Sequence, residues 1–202
     1  MDTIRKIREI LIGREPKPIE GGYGAFIHAA VLMPLFHDET GYKILFTKRT
    51  DKVEHHKRQI SFPGGAVDNG DGSLQETALR ESHEEIGLLR DDVQILGPLD
   101  QTTTFGSDFV VHPFVGYIPY PYDFTINPKE VDRIITVPLD VFLSDQAIYK
   151  RDRAEFEDYV YQGTSYYYNG DVIWGATARI MENFIHIVGD KLRLSNSRNS
   201  YI

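Results

Sequence analysis

Apolar positions recur along this chain in two periods. Ile4, Ile7 and Leu11 fall three and four apart, which predicts a short amphipathic helix over 3–12 that stops at Gly13. From 24 to 36 and from 43 to 49 apolar and β-favouring residues run almost without interruption. The polar turn His37 to Gly41 divides them, so a pair of strands is expected. A third short strand is expected at Ile60 to Phe62, followed by Pro63-Gly64-Gly65 and the turn-rich Asp68-Asn69-Gly70-Asp71-Gly72. Ser73 with Glu76 three residues later forms a capping box, and Gly87 followed by Leu88 forms a glycine stop. Together they bracket a helix at 74–86. Strands are expected again at 93–99, 110–118 and 159–168, with a loop at Pro119 to Pro121. A short helix at Leu139 to Leu143 and a longer one at Trp174 to Val188 complete the pattern. Mixed strands and helices without an internal repeat or linker predict one α/β domain over 24–190. A helical lead-in over 1–23 precedes it, and a polar, mobile tail over 191–202 follows.

The helix at 74–86 carries the chemistry. At about 100° per residue, Leu74, Ala78, Leu79, Ser82 and Ile86 share one face. Glu81, Glu84 and Glu85 share an adjoining face, with Glu85 at the edge of the apolar stripe. A solvated acidic face is the ordinary alternative, but three features oppose it. Like charges at i, i+4 repel. Carboxylates in the last turns face the negative end of the helix dipole. A solvated face would also not set Glu85 against the core. A bound cation resolves all three, and clustered oxygen donors without sulfur favour Mg²⁺ or Mn²⁺.

Composition narrows the partners. The 202 residues hold 22 Lys and Arg against 30 Asp and Glu, a net charge of −8, and no cysteine. The missing thiols exclude disulfide scaffolds, thiolate zinc sites and cysteine nucleophiles, and suit a reducing, cytoplasmic setting. A net negative chain disfavours nucleic acid and anionic membranes as partners. The longest apolar stretch, Ala25 to Phe36, is too short for a span of roughly 20 residues. Locally the sign reverses: residues 48–58 hold Lys48, Arg49, Lys52, Lys57 and Arg58 against Asp51 and Glu54, a net +3, with His55 and His56 beside them. This strip leads into the glycine loop, so phosphate contact by Lys48, Arg49 and Arg58 is expected. Glu130 is a further candidate for the metal or for a general base. His112, between β-branched residues and Pro113, is expected to be structural, and Trp174, at a helix start, to be core. The tyrosines at 117–122 and 166–168 are expected to pack, with adenine stacking or a homodimer interface as alternatives.

Gly65, Asp71 and then Arg80-Glu81-Ser82-His83-Glu84-Glu85-Ile86-Gly87-Leu88 resemble the signature of the Nudix hydrolase family. Ser82 takes an apolar slot. Asp71 stands for the usual glutamate, with one extra residue before Arg80. The resemblance implies an α/β/α sandwich with a mixed β-sheet and divalent-metal hydrolysis of a nucleoside diphosphate derivative. It assigns Glu81, Glu84 and Glu85 to the metal, Arg80 to orienting a glutamate, the Gly64 carbonyl to the metal and Glu81 to the base. A narrower resemblance, to the coenzyme A pyrophosphatase branch, rests on Leu45, Thr47 and Phe62-Pro63-Gly64-Gly65. Phe46, Thr50, Glu54 and Arg58 depart from that pattern. This branch implies cleavage of coenzyme A or its thioesters into 3′,5′-ADP and 4′-phosphopantetheine or its acyl derivative, with Gly65 beside the substrate. The alternatives are another substrate (ADP-ribose, a dinucleotide or a nucleoside triphosphate) or a nucleotide-binding module of this fold without turnover.

Overall fold

Strand β1 (Ile27–Asp38) decides the layering because both of its faces are apolar. Ala30 and Leu32 pack in one core with Ala78, Leu79 and Ile86 of helix α2 (Leu74–Ile86). Met33 and Leu35 pack in a second core with Ile7 and Leu11 of helix α1 (Asp2–Ile12) and Phe184 and Val188 of helix α4 (Gly175–Asn199). A strand covered on both sides has no polar face to alternate with, which explains the continuous apolar run. The computed structural model describes residues 2–19, 26–51, 58–104, 108–143, 149–156 and 159–199. Helices on both faces of one sheet make it an α/β/α sandwich, as expected.

The sheet is mixed. β1 runs parallel to β7 (Phe109–Tyr117), from Ile27 opposite Phe109 to Leu35 opposite Tyr117. Antiparallel pairs join β1 to β2 (Gly41–Arg49), β7 to β5 (Gln94–Pro98) and to β6 (Thr102–Thr103), and β2 to β3 (Ile60–Ser61). β1 pairs with β2 only from Leu35 to Asp38, while Ala29 to Val31 pair with β4 (Gly64–Ala66). The two long strands therefore splay towards one end, and the site lies in that splay.

Several elements depart from the expected pattern. β8 (Val131–Pro138), antiparallel to β2, was not anticipated, because a register shift opposite Lys48 and Arg49 interrupts its alternation. β9 (Tyr149–Phe156) and β11 (Asp171–Ile173) flank β10 (Tyr159–Tyr168) in a separate three-stranded sheet. β9, reading Lys150-Arg151-Asp152-Arg153, has almost no apolar signal to announce it. Helix α3 (Leu139–Leu143) is where the sequence places it. α4 passes Val188 and continues to Asn199 through most of the stretch expected as a tail, with Leu192 buried in the second core. Among the described residues no helix is long and apolar enough to cross a membrane.

Candidate active site

α2 is fixed at both ends by local chemistry. The Ser73 hydroxyl accepts the Glu76 amide N–H at 3.2 Å, and Gly87 closes the helix at φ 69°, donating to the His83 carbonyl. Thr77, Ala78, Leu79, Ser82 and Ile86 are buried, and that rotation carries Glu85 inward to 1% exposure. Glu81 is half-buried, whereas Glu84 is exposed.

Arg80 ties the helix to the loop before it. Its Nε and Nη2 donate to the two carboxylate oxygens of Asp71 at 2.8 and 3.0 Å, and Nη2 also reaches the Ala66 carbonyl at 3.1 Å. Nη1 donates to Glu81 Oε1 at 2.8 Å and to Glu84 Oε2 at 3.2 Å. Asp71 also accepts from the Thr77 hydroxyl and the Asp68 amide. The Arg80 guanidinium holds the Asp71 carboxyl well below the usual carboxylate range. Despite its altered spacing, Asp71 thus anchors the arginine that orients Glu81.

The glycine loop lies against the carboxylates. A Cβ on Gly65 would stand 2.5 Å from Glu81 Cδ, and one on Gly64, at φ 155°, would stand 2.6 Å from Val31 Cα. Only bare backbone fits between β1 and the carboxylates. Here a cavity of about 600 Å³ opens, lined by Gly64, Gly65, Glu81, Glu85, Arg49, Lys129 and Glu130 among others. Phe62, Phe109, Val111, Trp174 and Ile180 give the same cavity an apolar lining.

Burial pushes the Glu85 carboxyl up to about 8, against the opposing pull of Arg49. Burial also raises Glu81, with Arg80 working the other way. Among the described residues no three His, Cys, Asp or Glu side chains stand as a ready-made metal cluster. Instead, Arg80 takes up Glu81 and Glu84, and Arg49 Nη1 lies 3.4 Å from Glu85 Oε1. Yet Glu85 Oε2 is buried without a hydrogen-bond partner. A buried, unsatisfied carboxylate oxygen beside Glu81, Glu130 and a glycine cradle fits a hard divalent cation, whose charge would reverse the rise in the Glu85 pKa.

The other sequence candidates divide. Arg49, Gly64, Gly65, Glu81, Glu85 and Glu130 meet in the cavity, while Arg80 and Glu84 are not among its lining residues. Lys48 is not brought there: consecutive strand residues face opposite ways, and its Nζ lies 3.5 Å from Asp171. Arg58 is exposed, at φ 57°, and pairs with Asp51 at 3.5 Å. Lys52, Glu54, His55, His56 and Lys57 lie outside the described residues.

Glu130 is held by Asn127, whose side-chain amide donates to Oε1 at 3.0 Å and whose backbone N–H reaches the Glu85 carbonyl at 2.9 Å. Sequence reasoning missed Asn127 and Lys129 as site residues. The Asn127-Pro128 turn was the available signal. Trp174 is half-buried in the cavity wall and not in the core as expected, because it precedes α4 at the splay. His112 is structural as expected, buried with Nε2 2.9 Å from His28 Nδ1, and burial lowers it to about 4. Tyr166 packs edge-on against Phe142.

An α/β/α sandwich with a capped acidic helix beneath a glycine loop defines a class of protein, and the comparisons agree with it. The family model described as NUDIX domain matches residues 26–159. A protein of Photorhabdus laumondii described as an uncharacterized Nudix hydrolase, NudL, is 37% identical over 156 residues, 76% of this chain and 81% of its own. Its namesake in Yersinia enterocolitica is 37% identical over 174 residues, 83% of this chain and 84% of its own. A crystal structure of a MutT/nudix family protein from Enterococcus faecalis shares the fold, with TM-score 0.54 and 14% identity over 85% of this chain and 65% of that one. The chain belongs to the Nudix family and is a hydrolase.

Proposed function

We propose that this hydrolase cleaves the diphosphate bond of coenzyme A or a coenzyme A thioester, with Mg²⁺ or Mn²⁺ held by Glu81, Glu85 and the Gly64 carbonyl, and with Glu84 at the margin. One observation carries this reading: a single cavity is lined by the buried Glu85, the half-buried Glu81 and Glu130, the cations Arg49 and Lys129, and several apolar side chains. The carboxylates suit a metal-bridged diphosphate. The apolar lining suits the pantetheine arm and its acyl group.

When bound, the cation neutralises charge on the phosphoryl oxygens and makes water a better nucleophile near neutral pH. The protein does the rest. Arg49 and Lys129 bind phosphoryl oxygens from the cavity wall. Arg80 holds Glu81 through Oε1, leaving Oε2 to take a proton from the attacking water. Water adds its oxygen to one phosphorus and the bridging P–O bond breaks, giving 3′,5′-ADP and 4′-phosphopantetheine or its acyl form. The apolar wall excludes bulk water around the reacting bond. A chain without cysteine suits a cytoplasmic site for this reaction.

Another nucleoside diphosphate derivative is the second reading, favoured by Arg58 standing outside the cavity with Asp51. Initial rates with coenzyme A, acetyl-coenzyme A, ADP-ribose, dinucleoside polyphosphates and nucleoside triphosphates, each with Mg²⁺ and Mn²⁺, decide between them. The highest kcat/KM is expected for a coenzyme A compound. A clear preference for ADP-ribose, a dinucleotide or a triphosphate refutes it.

A further inference from the structure

Arg49 and Glu85 meet inside the cavity as a badly matched pair. Their one contact, Nη1 to Oε1, is 3.4 Å, whereas a guanidinium and a carboxylate that fit make two parallel bonds near 2.7–2.9 Å. The same chain makes such a fork between Arg80 and Asp71, at 2.8 and 3.0 Å. Arg49 Nε and Glu85 Oε2 are each buried without a hydrogen-bond partner. A pair kept for stability would not leave a buried donor and a buried acceptor unsatisfied on the two groups it joins.

The backbone around Arg49 is fixed even though its side chain is poorly held. The Arg49 N–H donates to the Gln59 carbonyl and the Thr50 N–H to the Glu130 carbonyl, both at 2.9 Å. Opposite them β8 carries a bulge: Lys48 pairs with Arg133 and Arg49 with Val131, leaving Asp132 unmatched. The base of this long cationic arm is thus held between Gln59 and Glu130, both lining residues.

We infer that Arg49 is a placeholder for the metal: it occupies the Glu85 carboxyl while the cation is absent, gives way to the cation, and turns its guanidinium onto the phosphoryl oxygens of the substrate. The inference rests on the proposed role of Glu85 as a cation ligand. Arg49 lies on Oε1 and a cation would take Oε2, so the two positive charges would repel across one buried carboxylate, where screening is weak; a diphosphate supplies enough oxygens for both. Arg49 and the cation therefore compete in the free protein and cooperate once a diphosphate is bound.

The test is Mn²⁺ affinity of the full chain without substrate, by titration calorimetry or the electron paramagnetic resonance of free Mn²⁺, in wild type and Arg49→Gln. The variant should bind Mn²⁺ about five- to tenfold more tightly, at the low end of coupling between sites. In parallel its kcat/KM should fall about 10²-fold, the scale of losing one charge-stabilising donor. A merely structural arginine would lower thermal stability and leave Mn²⁺ affinity unchanged or weaker, and that result overturns the inference. If Arg49→Gln does not fold without metal, Arg49→Lys replaces it. Its single point charge on a shorter stem competes less well, so affinity above wild type is expected and equal or lower affinity overturns the inference. Wild type that binds no Mn²⁺ overturns this inference and the proposed cation site together. Wild type that binds Mn²⁺ and cleaves diphosphates, with no gain in Arg49→Gln, overturns the placeholder alone.

Discussion

Gly65 has no side chain, and Glu81 uses the space. Because the clash of an added Cβ falls on a carboxylate tip and not on backbone, Gly65→Ala should fold with a melting temperature near wild type. Its kcat should nevertheless fall about 10²-fold, the cost of moving a reacting group by about 1 Å. A Gly65→Ala enzyme with wild-type kcat would show that the position of Glu81 is not critical. Glu85 makes a prediction of the opposite kind. Its carboxyl is raised from 4.5 to about 8 by burial. A raised carboxyl binds its proton better in the folded state, so its contribution to stability is full below about 4.5 and is lost as pH rises through about 8. Urea unfolding in the presence of a chelator should show wild type losing stability across this window, with Glu85→Gln losing much less. Parallel pH profiles of the two proteins would refute it. Glu81 and Glu85 were legible in the Arg-Glu and Glu-Glu spacing, and Gly65 in the glycine loop. Arg49 was legible as a cation near the loop, but not as the partner of Glu85, because 36 residues of chain separate them.

Helix α2 is the element the sequence specified most fully, because its capping, stop and buried face are all local. Ser73 reaches Glu76 three residues away, and Gly87 reaches His83 four residues away. Ser73→Ala should therefore cost about 1 kcal/mol in urea unfolding. A loss well below that would mean that Arg80, through Asp71, holds this end of the helix without the cap. The strands were less legible where packing replaces pattern. β8 buries Val131 in one core and Ile135 and Val137 in the other, because the unmatched Asp132 flips the strand between them, and no single-face alternation announces it. β9 is held by backbone pairing with β10 from Tyr149 opposite Tyr166 to Phe156 opposite Tyr159, and such hydrogen bonds carry no side-chain signature.

Across the whole molecule, the net charge of −8 divides into a basic strip of +3 at 48–58, −5 over residues 66–88 and −6 over the rest. Of the described cations of that strip, Arg49 enters the cavity while Lys48 and Arg58 pair elsewhere, and Lys129 arrives from a distant loop. A cation bound there favours the folded state, so Mn²⁺ at 100 times its dissociation constant should add about 2.7 kcal/mol of stability. For a chain of this size that is a rise of about 5–10 °C in melting temperature. No rise with saturating Mn²⁺ would contradict a cation site built from these carboxylates.

The sequence by itself determined α2, its glutamates, the glycine loop and the β1–β2 hairpin, since each depends on residues a few positions apart whose spacing follows from helix or strand geometry. The tertiary structure decided which distant groups face those glutamates. The splay between β1 and β2 opens the cavity, and Asn127 draws Glu130 and Lys129 towards Glu85. The start of α4 places Trp174 in the apolar wall. Those meetings depend on how whole elements pack, and no local spacing in the chain encodes them.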